Sequence, residues 1–220
     1  MKSQTISKKT FFFILLGSAL VILFLSHKTI LIAAGNFLAP EGAGNADVVI
    51  LEGTELIREK SIEIGIDLLS SGRTGRLVIV YQNSRDERIF DRPLNYNFVL
   101  IQKLETLGLK KDQIQVIEVP KEHPITLTEA QSVLSNLSRS GVKSAILLAE
   151  GFHTRRSYWA YKQVGLSLGI KIIPCSYFIK YRLDNWWTKI KGIHEFAFES
   201  LKFIYYVLCG YIPLKSLLVI

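Results

Sequence analysis

Short runs of branched apolar residues alternate with longer amphipathic stretches along the chain from Ala46 onward. The apolar runs predict β-strands, and the stretches with a helical period predict the helices between them. The predicted strands are 47–51, 77–81, 114–119, 144–149 and 170–174, and the predicted helices are 55–70, 93–107, 127–140, 154–168 and 185–208. Glycines stand where four of these helices should end, at positions 72, 108, 141 and 169. The pattern predicts an α/β fold with a mainly parallel sheet of about five strands, right-handed crossovers and helices on both faces.

The N-terminal region differs from the rest of the chain, because residues 11–25 carry no charge and follow a lysine-rich start. A helix of this length reaches about 22 Å, which is less than the ~30 Å of a bilayer's hydrocarbon core. A span therefore also needs residues 26–34, with the Lys28 side chain reaching the headgroups. We predict one uncleaved transmembrane helix within residues 1–34, and a signal peptide cleaved near residues 33–35 is the alternative. The lysines before the span predict a cytoplasmic N-terminus and an extracytoplasmic domain at the plasma (inner) membrane.

Composition divides the chain after residue 34 into a linker, a domain and a short tail. Residues 35–45 are rich in glycine and predict a linker, residues 46–212 form the predicted α/β domain, and residues 213–220 form an apolar tail. We expect the last helix to pack on the sheet, with contact to a membrane surface as the alternative for the C-terminal stretch. Residues 141–220 carry 11 basic and 4 acidic side chains, an excess that suits a membrane surface or a phosphorylated ligand. No Lys/Arg block or nucleic-acid motif occurs, so we expect no nucleic-acid partner.

Cysteine and histidine usage narrows the chemistry. Cys175 and Cys209 are the only cysteines, and we expect both to be buried thiols rather than a disulfide. The four histidines are scattered without a paired ligand spacing, so we expect no metal site. No Gly-x-Ser-x-Gly segment occurs, which argues against a serine hydrolase of that type.

The strongest candidate site lies where the fourth predicted strand meets its helix, at Ala149-Glu150-Gly151-Phe152-His153-Thr154-Arg155-Arg156-Ser157. In an open α/β sheet, ligands bind outside the carboxyl ends of the strands, and a helix N-terminus there favours anions. His153 and Arg156 should face that crevice together, with His153 as the candidate catalytic residue. In the alternative interpretation His153 only caps the helix and the two arginines are solvated.

Three other predicted loops reach the same edge of the sheet. Gly53 and Thr54 follow the first strand, Asn83 follows the second, and Thr126 and Glu129 follow the third. We predict that these residues bind the ligand together with Arg156. Plain structural alternatives exist: a simple turn at Gly53, a solvated loop at Asn83, and a capping box formed by Thr126 and Glu129.

The order of these motifs resembles the YdcF-like family (domain of unknown function 218), which includes the SanA and ElyC envelope proteins. The resemblance covers about residues 46–208 and rests on Ala46-Asp47-Val48-Val49-Ile50-Leu51 before a glycine turn, Thr126-x-x-Glu129-Ala130, Phe152-His153-x-x-Arg156-Ser157, and a last helix with Glu195, Glu199 and Tyr205-Tyr206. It implies a Rossmann-like three-layer αβα sandwich anchored in the bacterial inner membrane, with a role in cell-envelope integrity and the handling of peptidoglycan or its lipid-carrier precursors. At least one member of the family binds S-adenosylmethionine, so the resemblance implies this cofactor as a candidate ligand.

The chain departs from the family pattern at Glu52-Gly53 and Gln82-Asn83-Ser84, where relatives carry more glycine, and at Thr128, where they often carry an acid. Two functions follow as expectations. In the first, Arg156 and the helix N-terminus hold the phosphate of a lipid-carrier or nucleotide-sugar precursor, while His153 acts as donor or acid/base. In the second, the chain is a non-catalytic envelope-integrity factor that acts through protein partners, or an S-adenosylmethionine or nucleotide-binding domain. The first expectation also makes membrane lipid or a lipid-linked precursor a partner.

Overall fold

The computed structural model describes residues 8–54, 58–83, 88–89, 92–93 and 96–218. The helices are α1 (Lys8–Leu38), α2 (Glu59–Ser70), α3 (Tyr96–Thr106), α4 (Ile125–Arg139), α5 (Thr154–Leu168) and α6 (Ile190–Leu208). The strands are β1 (Val48–Thr54), β2 (Arg76–Asn83), β3 (Arg88–Ile89), β4 (Arg92–Pro93), β5 (Ile114–Pro120), β6 (Ser144–Glu150) and β7 (Lys171–Tyr177). Strands β3 and β4 form a separate two-stranded antiparallel pair.

The other five strands form one sheet in the order β5-β2-β1-β6-β7, and every neighbouring pair is parallel. The chain builds the sheet outward from β1 to β2 and β5, then returns to the other side of β1 with β6 and β7. The strand order therefore reverses between β1 and β6, which is the topological switch point of an open α/β sheet. The predicted α/β fold with a five-stranded parallel sheet is confirmed.

The central strands bury side chains on both of their faces. Val48 and Ile50 of β1 pack into a cluster with residues of α4, α5 and α6, whereas Val49 and Leu51 pack into a second cluster with residues of α2 and α3. Because helices cover both faces, these strands contain continuous apolar runs, such as Val48 to Leu51 of β1, and these runs are visible in the sequence.

Most predicted boundaries lie within a few residues of the observed ones, and α5 begins and ends where it was predicted. Its end is set by Gly169, whose φ of +68° is a left-handed conformation that glycine adopts without a steric cost. Helix α6 begins at Ile190 rather than 185, because residues 186–188 form a separate 3₁₀ turn. Strands β1 and β2 extend to Thr54 and Asn83 and so carry polar residues to the carboxyl edge of the sheet.

Helix α1 contains 31 residues, and its described side chains between Phe11 and Ser18 are exposed. Among the side chains that the structure describes, no helix is both long and apolar enough to cross a membrane. Residues 1–7 and the side chains of 19–20 and 22–25, which belong to the predicted anchor, lie outside the described part of the chain.

The predicted linker, residues 35–45, begins inside α1 and is packed against the domain. Leu38 and Ala39 are buried in a cluster with aromatic side chains of the domain. The Gly42 N–H donates to the Pro174 carbonyl (2.8 Å), and the Trp186 indole donates to the Leu31 carbonyl (3.1 Å). Apolar side chains at the end of α1 thus hold the start of the predicted linker against the domain.

Cys175 and Cys209 are both free thiols. Cys175 is partly buried, but Cys209 is exposed, so the expectation of two buried thiols was wrong for Cys209. Cys209 is the C-cap residue of α6, whose buried residues are Gly192, Phe203 and Tyr206.

Candidate functional site

Two residues from opposite sides of the switch point meet in the structure. Glu52 lies near the end of β1, and His153 follows β6, the strand that pairs with β1 from Val48 to Leu51. Glu52 Oε1 lies 2.8 Å from His153 Nε2. This contact joins β1 to the loop between β6 and α5 at the carboxyl edge of the sheet.

Both ring nitrogens of His153 have partners. Nε2 also lies 2.8 Å from the Ser157 hydroxyl, while Nδ1 lies 3.2 Å from Glu199 Oε2 and 2.6 Å from a nitrogen of Arg156. Burial disfavours the charged ring, but the carboxylates of Glu52 and Glu199 outweigh burial and the Arg156 charge and raise the pKa of His153 to about 9. The two carboxylates thus favour a protonated ring that donates from Nε2 to Glu52 and from Nδ1 to Glu199, whereas the Arg156 nitrogen beside Nδ1 opposes it. His153 makes no helix-capping hydrogen bond, so the capping interpretation was wrong.

Arg156 is buried, which also overturns the alternative of a solvated arginine. Its Nε and Nη2 atoms donate to Glu199 Oε2 (3.2 and 3.0 Å), and Nη1 donates to Thr126 Oγ1 (2.6 Å). Its guanidinium lies 4.9 Å from the centre of the Tyr206 ring. Burial alone would raise the pKa of Glu199, but the charges of His153 and Arg156 hold it far below its usual range. Glu199 is therefore the anion that joins the two cations of the site.

Thr126 and Glu129 do not form the predicted capping box. Helix α4 begins two residues earlier than that motif requires, with Pro124 at the N-cap and no side-chain cap bond. The Thr126 hydroxyl is instead the acceptor for Arg156. Because α4 starts earlier, both side chains point into the site rather than back along the helix end.

Glu129 forms a second hydrogen-bonded cluster beside the network of His153, Arg156 and Glu199. Its Oε1 accepts from the Gly53 N–H (3.1 Å) and the Tyr161 hydroxyl (2.8 Å), and its Oε2 accepts from the Gln82 amide (2.8 Å). Burial and the nearby Glu52 charge raise the pKa of Glu129 to about 7, although its three hydrogen bonds act in the opposite direction. This carboxyl can therefore gain or lose a proton near neutral pH.

Gly53 is required by this packing. A Cβ atom at position 53 would lie 2.6 Å from Glu129 Oε2 and 3.0 Å from a methyl group of Val80. The glycine therefore provides room for the Glu129 carboxyl, whereas the sequence suggested room for a ligand.

Five of the predicted site residues come together in one cluster: Gly53, Thr126, Glu129, His153 and Arg156. Thr54 and Asn83 end β1 and β2 at the same edge, and their side chains lie outside the described part of the chain. Sequence reasoning did not assign four other members of the cluster: Glu52, Gln82, Ser157 and Tyr161. Glu199 entered only through the family resemblance. Ser157 and Tyr161 follow His153 at helical spacings of four and eight residues, and this spacing was the available signal.

Ser157, His153 and Glu199 have the hydrogen-bond order of a catalytic triad, but Ser157 cannot act as its nucleophile. The Ser157 side chain has no exposed surface, and its hydroxyl donates to Glu52. A substrate cannot reach an oxygen that lies beneath the ring it would use as a base. Ser157 therefore orients His153 and Glu52.

A cleft of about 480 Å³ opens beside this network, and both His153 and Arg156 line it. Five Lys or Arg residues but only three Glu residues contribute to its lining: Arg58, Arg156, Lys180, Lys191, Lys202, Glu150, Glu195 and Glu199. Within the described part of the chain, Lys180 forms no ion pair. Arg58, Lys191 and Lys202, which also line the cleft, each lie within 4 Å of a glutamate oxygen. This charge pattern favours an anionic ligand.

Among the residues described, no group of three or more His, Cys, Asp or Glu side chains has an arrangement that could hold a metal ion. No protein-family model matches this chain, and neither curated proteins nor solved structures give a match. The resemblance to the YdcF-like family therefore stays a prediction.

Proposed function

We propose that this chain binds a phosphorylated precursor of the bacterial cell envelope in the cleft beside His153 and Arg156, and that His153 exchanges a proton with that ligand. The precursor belongs to the lipid-carrier or nucleotide-sugar type. The observation that carries the proposal is that His153 and the buried Arg156 lie together at the carboxyl edge of the sheet and line a cleft with more basic than acidic side chains.

Phosphate chemistry fits this charge arrangement. Phosphate oxygens accept charge-assisted hydrogen bonds from arginine, lysine and imidazolium groups, which are stronger than neutral hydrogen bonds. Lys180 is available for such a bond, and the ammonium groups of Lys191 and Lys202, whose side chains are about half exposed, stand at the same cleft beside Glu195 and Glu199.

His153 supplies the proton in this proposal. Its carboxylate partners raise its pKa to about 9, so it can donate its proton to a phosphate oxygen of the bound ligand and take the same proton back on release. Glu52 and Glu199 hold the ring from both nitrogens and fix its orientation. Arg156 keeps Glu199 in place and is the second group that faces the ligand.

A non-catalytic role is the second candidate, and one observation favours it. Both ring nitrogens of His153 and the Nε, Nη1 and Nη2 atoms of Arg156 already have partners inside the protein. A network that satisfies itself can serve as a rigid platform for an envelope-integrity factor that recruits protein partners. In that case the residues around the cleft bind a partner protein, and His153 transfers no proton.

Membrane attachment through the N-terminal helix is part of the proposal. It is supported by the uncharged run of residues 11–25 after a lysine-rich start, and by the exposure of the apolar side chains of Phe11 to Leu16. The charge bias would place the domain outside the cytoplasm. Fractionation of cells followed by alkaline carbonate extraction tests the attachment, because an integral protein stays in the pellet.

Ligand binding is tested by the thermal unfolding midpoint of the full chain in mild detergent. The additives are inorganic phosphate, a polyprenyl phosphate, a nucleotide sugar and S-adenosylmethionine. A ligand at 100 times its dissociation constant stabilises by about 2.7 kcal/mol, which is roughly 5–10 °C for a chain of this size. We expect this shift with a phosphorylated ligand in the unmodified chain and its loss in His153→Gln.

His194→Gln is the matched control, because His194 lines the same cleft but stacks on Phe198 outside the network. Retention of the shift in this control, together with its loss in His153→Gln, supports the assigned site. Absence of a shift with every phosphorylated additive would contradict the proposal. Site-specific crosslinking in cells would then test the partner-binding role.

A further inference from the structure

Helix α6 has one face that no other described element covers. Ile190, Ile193, Ala197, Leu201, Ile204 and Leu208 form this face, and we call it the α6 stripe. Successive members are three or four residues apart, so they line one side of the helix along its full length. Ile190 and Leu208, at the two ends of the stripe, are 88% and 81% exposed. An apolar helix face of this length in water marks a surface that binds something apolar.

The polar residues around the stripe have one sign of charge. Lys191 and Lys202 lie on its flank and are exposed, and Lys189 precedes the helix. The only acidic residues of α6 are Glu195 and Glu199, and both turn inward to the cleft, where they bind Tyr181 and Arg156. An apolar stripe edged by lysines and free of exposed acids matches the surface of a bilayer that contains anionic lipids.

The position of α1 also supports a lipid bilayer as the partner of the α6 stripe. The last turns of α1 contact the region just before α6 through the Trp186 bond to Leu31, and contact α6 itself where Phe37 meets Phe203 with ring centres 5.8 Å apart. Arg155 joins this end of α1 to the C-terminal segment, because it donates to the carbonyls of both Phe37 and Ser216. That segment exposes three further leucines, at positions 214, 217 and 218.

A domain surface that surrounds the base of a membrane-embedded helix faces the bilayer. We infer that the α6 stripe rests on an anionic lipid bilayer, so that the cleft opens at the membrane surface. This inference rests on the proposed membrane attachment of α1. It also narrows the ligand of the proposed site, because Phe198, Lys191 and Lys202 line the cleft and border the stripe. A phosphorylated headgroup can then enter the cleft while its lipid chain stays in the bilayer.

The test uses the full chain in vesicles of phosphatidylglycerol and phosphatidylcholine. Cys175→Ser and Cys209→Ser remove the native thiols, and an environment-sensitive fluorophore is then attached to Leu201→Cys. The matched control is Leu166→Cys, because Leu166 is also an exposed leucine on a helix (67% against 64% for Leu201) but lies near the end of α5, at the opposite edge of the sheet. Brominated acyl chains quench a probe in the bilayer, and iodide quenches a probe in water.

We expect brominated lipid to quench the probe at position 201 and iodide to leave it unaffected, with the reverse result at position 166. The quenching by brominated lipid at 201 should weaken when phosphatidylglycerol is replaced by phosphatidylcholine. Equal quenching by iodide at both positions, in a chain that floats with the vesicles, would overturn the inference and leave membrane attachment intact.

Two other outcomes also decide the matter. Protection of position 201 from iodide without quenching by brominated lipid, combined with disulfide crosslinking between unlabelled Leu201→Cys chains, would assign the stripe to a second copy and overturn the inference. A chain that does not float with vesicles at all would overturn both the docking of α6 and the proposed attachment of α1. Ligand binding to the cleft is measured separately in detergent, so its failure is distinguishable from either.

Discussion

Replacing Glu129 by glutamine should remove a pH-dependent loss of stability from this protein. The ordinary pKa of the Glu129 carboxyl is 4.5, and in the folded protein burial and the Glu52 charge raise it to about 7. Because the folded state binds this proton more tightly than the unfolded state, the stabilising contribution is fully present below pH 4.5. It is lost as the pH rises through about 7. This difference between the pKa values of the unfolded and folded states corresponds to about 3 kcal/mol in the free energy of unfolding, since one pKa unit is worth about 1.4 kcal/mol.

Glutamine is a neutral replacement of nearly the same shape. Its carbonyl oxygen can keep the hydrogen bonds from the Gly53 N–H and the Tyr161 hydroxyl, whereas its amide nitrogen meets the Gln82 amide nitrogen. The Gln82 amide must then turn over and give up its 3.1 Å bond to the Gly53 carbonyl. This costs about 1 kcal/mol at every pH, because one neutral hydrogen bond is lost. Only the pH-dependent part therefore reports on the ionisation of Glu129.

The assay is the thermal unfolding midpoint of the full chain in detergent, measured from pH 4.5 to pH 8 for both proteins. Relative to the unmodified chain, Glu129→Gln should gain about 3 kcal/mol across this range, or roughly 6–12 °C in the midpoint. Tyr161→Phe is an independent check, because loss of a hydrogen bond to the charged form should move the inflection to higher pH. Parallel midpoint curves for the unmodified chain and Glu129→Gln would refute the reasoning.

Other predictions follow from neighbouring contacts. The pKa of His153 is raised from 6.5 to about 9, so its stabilisation is complete below pH 6.5 and disappears as the pH rises through 9; His153→Gln should abolish this second step when the midpoint titration is extended above pH 9. Thr126→Val should cost roughly 1.5–3 kcal/mol in denaturant unfolding, because a buried N–H of Arg156 loses its acceptor; an unchanged stability would show that this bond contributes nothing. Gly192→Ala should lower the midpoint by the equivalent of about 1–3 kcal/mol, since its Cβ would lie 2.3 Å from the Trp186 carbonyl oxygen. A midpoint within error of the unmodified chain would show that the turn before α6 can shift.

The fold was predictable because its strands are buried on both faces. Such strands contain continuous apolar runs, and helices of ten or more residues with a helical period separate them, so β1 and α5 could both be located without a structure. The packing of residues 35–45 could not be predicted for a related reason. Composition describes how free a backbone is in isolation, whereas the burial of Leu38 and Ala39 depends on aromatic side chains that lie far away in the sequence.

The candidate site was predictable only in part. His153 and Arg156 were found because a strand-to-helix junction in a parallel sheet has a known relation to ligands. Glu52 was considered only as a lost glycine, although it holds the His153 ring. Glu199 stands more than forty residues from His153, and no local spacing connects them.

The sequence by itself determined which segments become strands and helices, where four helices end, and which residues reach the carboxyl edge of the sheet. These properties depend on local backbone preference and on the spacing of apolar residues, and both can be read from residues that are close together in the sequence. The tertiary structure alone decided which charges meet: it placed Glu52 and Glu199 on the two nitrogens of one imidazole and buried Glu129 beside Glu52. Because pKa values depend on burial and on distances between groups that are remote along the chain, the proton chemistry of this site exists only in the folded molecule.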